Sequence, residues 1–188
     1  MNTDKIIKEL RELKRSPDDD NIRIKNIIKK KILQNEKIVY VLNDKELLDK
    51  DTPIDEYYGH NILPYYIIPN TQTKIKNFLC YETSTNSISK NNEIIKIQQI
   101  IFYCLCHVDN ITEVETGLPR HDLLSALILD EFNWTNDFGT TLHCISNVGG
   151  VLDTDYALRT LKFEMESLSN IVRTKNGITK VINKEINL

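Results

Sequence analysis

Residues 96–132 constrain this chain more than any other stretch. They open on a nearly unbroken apolar run in which Ile100, Phe102, Cys104, Cys106 and Val108 alternate onto one face. Gln99, Ile101, Tyr103, Leu105 and His107 form the other face, which is nearly as apolar. A strand apolar on both sides belongs in the middle of a covered sheet. Gly117-Leu118-Pro119-Arg120 then breaks the chain. Pro119 suits the first turn of a helix, where an N–H would go unpaired anyway. Over 121–133, Leu123, Leu124, Leu127 and Ile128 recur at helical spacing, with Ala126 and Phe132 at the flanks. That strand and that helix predict the core.

The other elements come in chain order. Residues 3–15 predict a helix with Thr3 as its cap and Ile6, Ile7, Leu10 and Leu13 on one stripe. Ser16-Pro17-Asp18-Asp19-Asp20 ends it and brings acid to the next helix start, where the dipole favours negative charge. That next helix spans 21–34, with Ile24, Ile27, Ile28 and Ile32 inward and Lys29-Lys30-Lys31 on its wet side. Asn43-Asp44 ahead of Lys45-Glu46-Leu47-Leu48 reads as a cap, so 36–49 predicts two short helices. Residues 51–59 read as a linker.

Pro64 and Pro69 fence an apolar segment into an edge strand over 63–69, because proline has no N–H for a sheet ladder. A second strand covers 77–83, and the Ser, Asn and Lys of 84–92 predict a loop. Past the core helix come an aromatic-bearing turn at 134–139, a strand at 140–146 and a loop at 147–155 too long for a tight hairpin. The last strand, 156–166, alternates: Leu161, Phe163 and Met165 point in, while Thr160, Lys162, Glu164 and Glu166 point out. The fold class is α+β, an antiparallel or mixed sheet packed against a core helix, with a small helical N-terminal extension. The division is 1–55 helical, 56–167 core and 168–188 a C-terminal arm.

Composition narrows the function. A chain of 188 residues with 40% hydrophobic and 27% charged residues has the length and composition of one globular domain. With 24 basic against 27 acidic residues, it lacks the basic excess of a protein that coats nucleic acid. It has no run of about 18 apolar residues to span a membrane. Its first residues lack the order of a secretory signal, so a soluble protein made in the cytoplasm is expected.

Signals for chemistry are thin. Cys104, Cys106, His107, His143 and Cys144 are zinc-compatible, yet strand alternation parts His107 from the first two and His143 from Cys144. Cys80, Cys104, Cys106 and Cys144 read as reduced core thiols. Glu164 with Glu166, or Asp153 with Asp155, could serve as an acid–base or cation pair. With Lys162 beside the glutamates, a solvated or subunit-facing strand explains them more simply. Phosphate-cradling, nucleophile-elbow and dinucleotide motifs are lacking. The expectation is a protein that is not an enzyme and has no metal or cofactor.

The order of helices, three strands, a core helix and two closing strands resembles the tail-terminator and head–tail joining (neck) proteins of long-tailed bacteriophages. The Pro-bounded strand at 64–69, the strand at 97–108, the helix at 121–132 and the closing strand through Ala157-Leu158-Arg159-Thr160-Leu161-Lys162-Phe163-Glu164 carry the likeness. It covers residues 60–167 in layout. The resemblance implies a structural virion protein, assembled in the host cytoplasm, that forms a homo-oligomeric, hexameric ring. Such a ring ends the tail tube and docks to the head connector; DNA passes its lumen without specific binding, and no membrane is involved. Its subunit and partner contacts would fall on Asn70, Thr71, Gln72 and Lys74, on Asp153 and Asp155, and on Lys162, Glu164 and Glu166. The alternatives are another phage assembly part, such as a connector adaptor or tail-assembly protein, and a small nucleic-acid-processing enzyme.

Overall fold

The computed structural model describes residues 3–12, 20–48, 53–69, 75–88 and 95–168. Four helices lead: α1 (Thr3–Glu12), α2 (Asp20–Gln34), α3 (Glu36–Leu42) and α4 (Lys45–Leu48). A 3-10 turn at Ile54–Tyr57 precedes β1 (Ile62–Leu63), β2 (Phe78–Ile88) and β3 (Ile95–His107). A second 3-10 turn, Val108–Asn110, leads to α5 (Arg120–Phe132), then β4 (His143–Val151) and β5 (Tyr156–Leu168). The strands form one mixed sheet in the order β1-β2-β3-β5-β4. Among the described strands, β1 and β2 pair in parallel and the other neighbours pair antiparallel. The class is α+β with a helical N-terminal part.

The strand apolar on both faces lies at the centre, as its pattern requires, with β2 on one side and β5 on the other. Its even-numbered residues from Lys96 to Cys106 are all buried. The Phe102 ring lies 5.0 Å from Phe132, 5.7 Å from Phe163 and 6.1 Å from Tyr81, centre to centre. α5 lays Leu124, Ile128 and Phe132 on this face. α2 adds Ile24, Ile28 and Ile32, and α3 adds Ile38 and Leu42, so helices and sheet share one apolar cluster. Spacings of three and four place such residues on one helix stripe, which is why these segments can lie flat on the sheet.

Buried Asn77 ties the cluster's end together. Its Nδ2 donates to the Leu42 carbonyl at 3.0 Å, and its Oδ1 accepts from the His107 N–H at 3.0 Å.

Among the described residues, the opposite face is covered at one end only. There Leu63, Cys80, Leu105 and Tyr156 are buried, and the Tyr66 ring stands 4.4 Å from that of Tyr103. Farther along β3 and β5, Ile97, Ile101, Thr160 and Glu164 are half-buried, while Lys162 and Glu166 are exposed.

Several boundaries differ from the pattern. The strand expected over 63–69 is only Ile62–Leu63: Pro64 stops the ladder, and Tyr66 and Ile67 beyond it cover the sheet instead of extending it. The polar loop expected from 84 is largely strand, for β2 runs to Ile88 paired with β3 through a bulge at 85–87. Thr and Ser pair well across a ladder despite their polarity; residues 89–94 lie outside the described ones. The loop expected at 147–155 is also mostly strand, because 147–151 pair with 157–161 and leave a turn at 152–155.

At the other ends, β4 starts at His143, not 140, and Val108 leaves β3 to open a 3-10 turn. The expected linker holds a 3-10 turn with buried Tyr57. Pro119 caps α5 from outside, one residue before its first turn. The last strand buries Leu161, Phe163 and Met165 as its alternation predicts. Ile6, Ile7 and Leu10 of α1 are exposed, and Leu13 lies outside the described residues, as does the C-terminal arm beyond Leu168.

Phe102→Ala should cost about 3–5 kcal/mol, since a fully buried ring leaves a cavity between sheet and helix. Val114→Ala, at a residue 83% exposed, should stay within about 0.5 kcal/mol. Urea unfolding followed by circular dichroism measures both.

Candidate functional site

Cys80, Cys104 and Cys106 are fully buried, and Cys144 is half-buried. Burial pushes the Cys80 thiol up to about 12 and lifts Cys104 and Cys106 further. Such thiols stay protonated, which suits apolar packing. His107 lies across the strand from Cys104 and Cys106 and packs edge-on against Tyr156 at 5.2 Å. Among the described residues, no three His, Cys, Asp or Glu side chains are placed to hold a metal ion. Nor is any helix there long and apolar enough to cross a membrane.

Two polar clusters that the residue pattern did not reveal lie in the loop between β3 and α5 and at the start of α5. In the first, Glu113 is buried within its own loop. Its carboxylate accepts from the Thr116 hydroxyl and N–H at 2.7 Å each, the Glu115 N–H at 3.2 Å and the Tyr40 hydroxyl at 3.0 Å. These donors, Thr116 foremost, hold its pKa down to about 2 from an ordinary 4.5. The only sequence cue is an acid three residues before a Thr-Gly turn.

The second cluster sits where α5 starts. Arg159 of β5 approaches Asp122 Oδ1 at 2.5 Å and donates to Asn147 Oδ1 at 3.2 Å. Asn147 Nδ2 in turn donates to buried Ser125 Oγ at 3.1 Å. His121 is held below its ordinary pKa, first by burial and then by Arg159, against the pull of Asp122. These contacts clamp helix to hairpin. They join residues distant in the chain, so no local motif announces them.

The residues expected at subunit contacts are scattered. Asn70, Thr71, Gln72 and Lys74 lie outside the described residues. Asp153 holds the β4–β5 turn, its Oδ1 accepting from the Asp155 and Tyr156 N–H groups at 2.9 Å. The Asp155 carbonyl accepts from the Val108 N–H at 2.8 Å, tying that turn to the end of β3. Lys162, Glu164 and Glu166 do share the less covered sheet face, where Glu164 accepts from Gln99 Nε2 at 3.0 Å. Trp134, the chain's single tryptophan, was legible only as part of a turn. It is 69% exposed beside this hairpin, with its ring edge-on to His143 at 4.4 Å.

What these features define is an α+β protein with one covered and one partly open sheet face, and polar groups that brace structure. Its residues 35–165 match the YomW family model, and the chain belongs to the YomW family. This is a Bacillus phage-region family of the SPbeta-like prophage kind, which makes the chain phage-associated. No curated protein matches it.

A carboxylate whose folded pKa is depressed contributes stability above its unfolded pKa, and loses it as pH falls through the folded value. For Glu113 that window runs from 4.5 down to about 2. Glu113→Gln should lower the melting temperature at pH 7 and flatten the acid-side loss between about pH 4.5 and 2. The lowered carboxyls of Asp44 and Asp137 keep the remaining slope. Melting curves across pH measure the difference.

Proposed function

We propose that this protein is a structural part of the head–tail joint of a long-tailed phage, a homo-oligomeric ring that ends the tail tube and docks to the head connector. The observation that carries the reading is the long closing hairpin of β4 and β5, packed by its inner residues on the core helix while Lys162, Glu164 and Glu166 face outward. Membership of a phage-region family supports the setting. A ring needs the same heterologous contact repeated between neighbours, and a broad polar sheet face with both signs of charge suits such contacts. The ring is hexameric, belongs to the virion and is assembled in the host cytoplasm. DNA passes its lumen without being gripped, in keeping with a formal charge of −3. The protein carries no catalytic group or cofactor in this role.

Light scattering of the purified chain, alone and with tail tubes, tests it. A six-copy species on the tubes is expected, and Glu166→Lys should weaken it about tenfold while changing stability by no more than about 0.5 kcal/mol. Labelled antibody should mark the neck in images of particles. A chain that stays single beside tail tubes, or a label elsewhere in the particle, overturns the reading.

A further inference from the structure

An edge strand turns unpaired N–H and C=O groups outward, and proteins usually blunt it with charge, proline or a cover. The two edges of this sheet differ. On one side β1 covers only Leu79 and Cys80 of β2 and stops before Pro64. Lys25 of α2 closes over Pro64 and Glu82: its Nζ donates to the Pro64 carbonyl at 2.5 Å and to Glu82 Oε2 at 2.8 Å. Among the described residues, no strand pairs with the outer side of β2 beyond Cys80. On the other side, β4 is nine residues long, HCISNVGGV, without Asp, Glu, Lys, Arg or Pro. β5 pairs with its inner side, and among the described residues no strand pairs with its outer side. Ile145, Val148 and Val151 are 52, 59 and 75% exposed.

We infer that β4 pairs with β4 of a second copy, antiparallel about a two-fold axis at Val148, joining two sheets into one. Two things on this edge select that occupant. First, Ile145 and Val151 each stand three residues from Val148. A register centred on Val148 sets it against its own copy and brings Val151 to the partner's Ile145, on the bulge between 144 and 146. Ser146 then meets the partner's Gly150, and Asn147 the partner's Gly149. Second, the strand has no fixed charge to face itself across the axis, where like charges repel.

Trp134 adds an anchor. It holds φ at 66°, a region that a bulky residue enters at a cost, and its N–H donates to the Leu142 carbonyl at 2.8 Å. That turn stands the exposed ring beside His143, at the end of β4 where the partner's Val151 arrives. Tryptophan is favoured at the energetic centres of interfaces.

A strand pair of this length buries less than the roughly 800 Å² per partner of a standard interface, so a reversible pair in the micromolar range is expected. The pair goes beyond the ring reading. Neighbours around a polar tail are not related by a two-fold axis, so the pair is a state of the free chain that parts when the chain joins a ring.

Two measurements on the full chain test the inference. In sedimentation, the wild-type chain should show a concentration-dependent dimer, which Val148→Lys and Trp134→Ala each weaken about tenfold or more without lowering the melting temperature. In a Cys144→Ser background, oxidised Val148→Cys should form covalent dimers, because directly opposed residues bring their Cβ atoms to roughly 4.5–5.5 Å. Val151→Cys alone should not, and adding Ile145→Cys should restore the link. A chain that sediments as a monomer at every concentration overturns the pair. So does equal cross-linking of Val148→Cys and Val151→Cys. A larger assembly that survives Val148→Lys would overturn the pair while leaving the ring standing.

Discussion

Phe102 must be kept from water on every side, and most of the architecture stems from that need. Its ring projects from the central strand into a space closed by Tyr81 and Phe163 from neighbouring strands and by Phe132 from α5. Burying an aromatic side chain is among the larger single contributions to folding, and offset or edge-on neighbours add to it. The helical stripes of α2, α3 and α5 complete the enclosure. Without the sheet these stripes would have nothing to lie on; without them the face around Phe102 would be an exposed apolar patch.

Among the described residues, the second face of the sheet has no equivalent. A proline-bounded segment covers one end, leaving a mixed surface of half-buried isoleucines and charged β5 residues at the other. The edges are equally unlike: one carries the two-residue β1, Pro64 and the Lys25–Glu82 pair, while the other is an uncharged strand with no outer partner among the described residues. Among the described residues the fold is thus finished on one face and less covered on the other, the arrangement that the proposed contact role would use. The polar clusters suit the same proposal. Glu113, Asp122, Arg159 and Asn147 brace a loop, a helix and a hairpin, and a braced surface loses less freedom when it docks.

How much could be read beforehand depended on whether the deciding contact was local. β3, β5, α2 and α5 were legible because each carries its burial in its own periodicity, two for strands and 3.6 for helices. Asn43-Asp44 was legible as a cap, and Asp44 Oδ1 does accept from the Glu46 N–H at 3.1 Å. The polar half of β2 and the glycine-bearing half of β4 were not. Their strand character comes from partners, Gln98–Ile100 for Thr83–Thr85 and Ala157–Leu161 for Asn147–Val151. The 64–69 segment misled for a related reason: apolar residues between prolines can cover a sheet as well as join it. The Arg159–Asp122 contact could not be foreseen, since it spans 37 positions of chain between a strand and a helix.

By itself, then, the order of residues determined the fold class, the central strand, the core helix and the inward set Leu161, Phe163 and Met165, because hydrophobic periodicity acts within a few residues of itself. Only the tertiary structure decided where the polar strands end, which sheet face is less covered and which edge carries Pro64 and Lys25. Those outcomes rest on backbone pairing and ion contacts between distant segments, and such pairings acquire an energy only when the chain has brought them together.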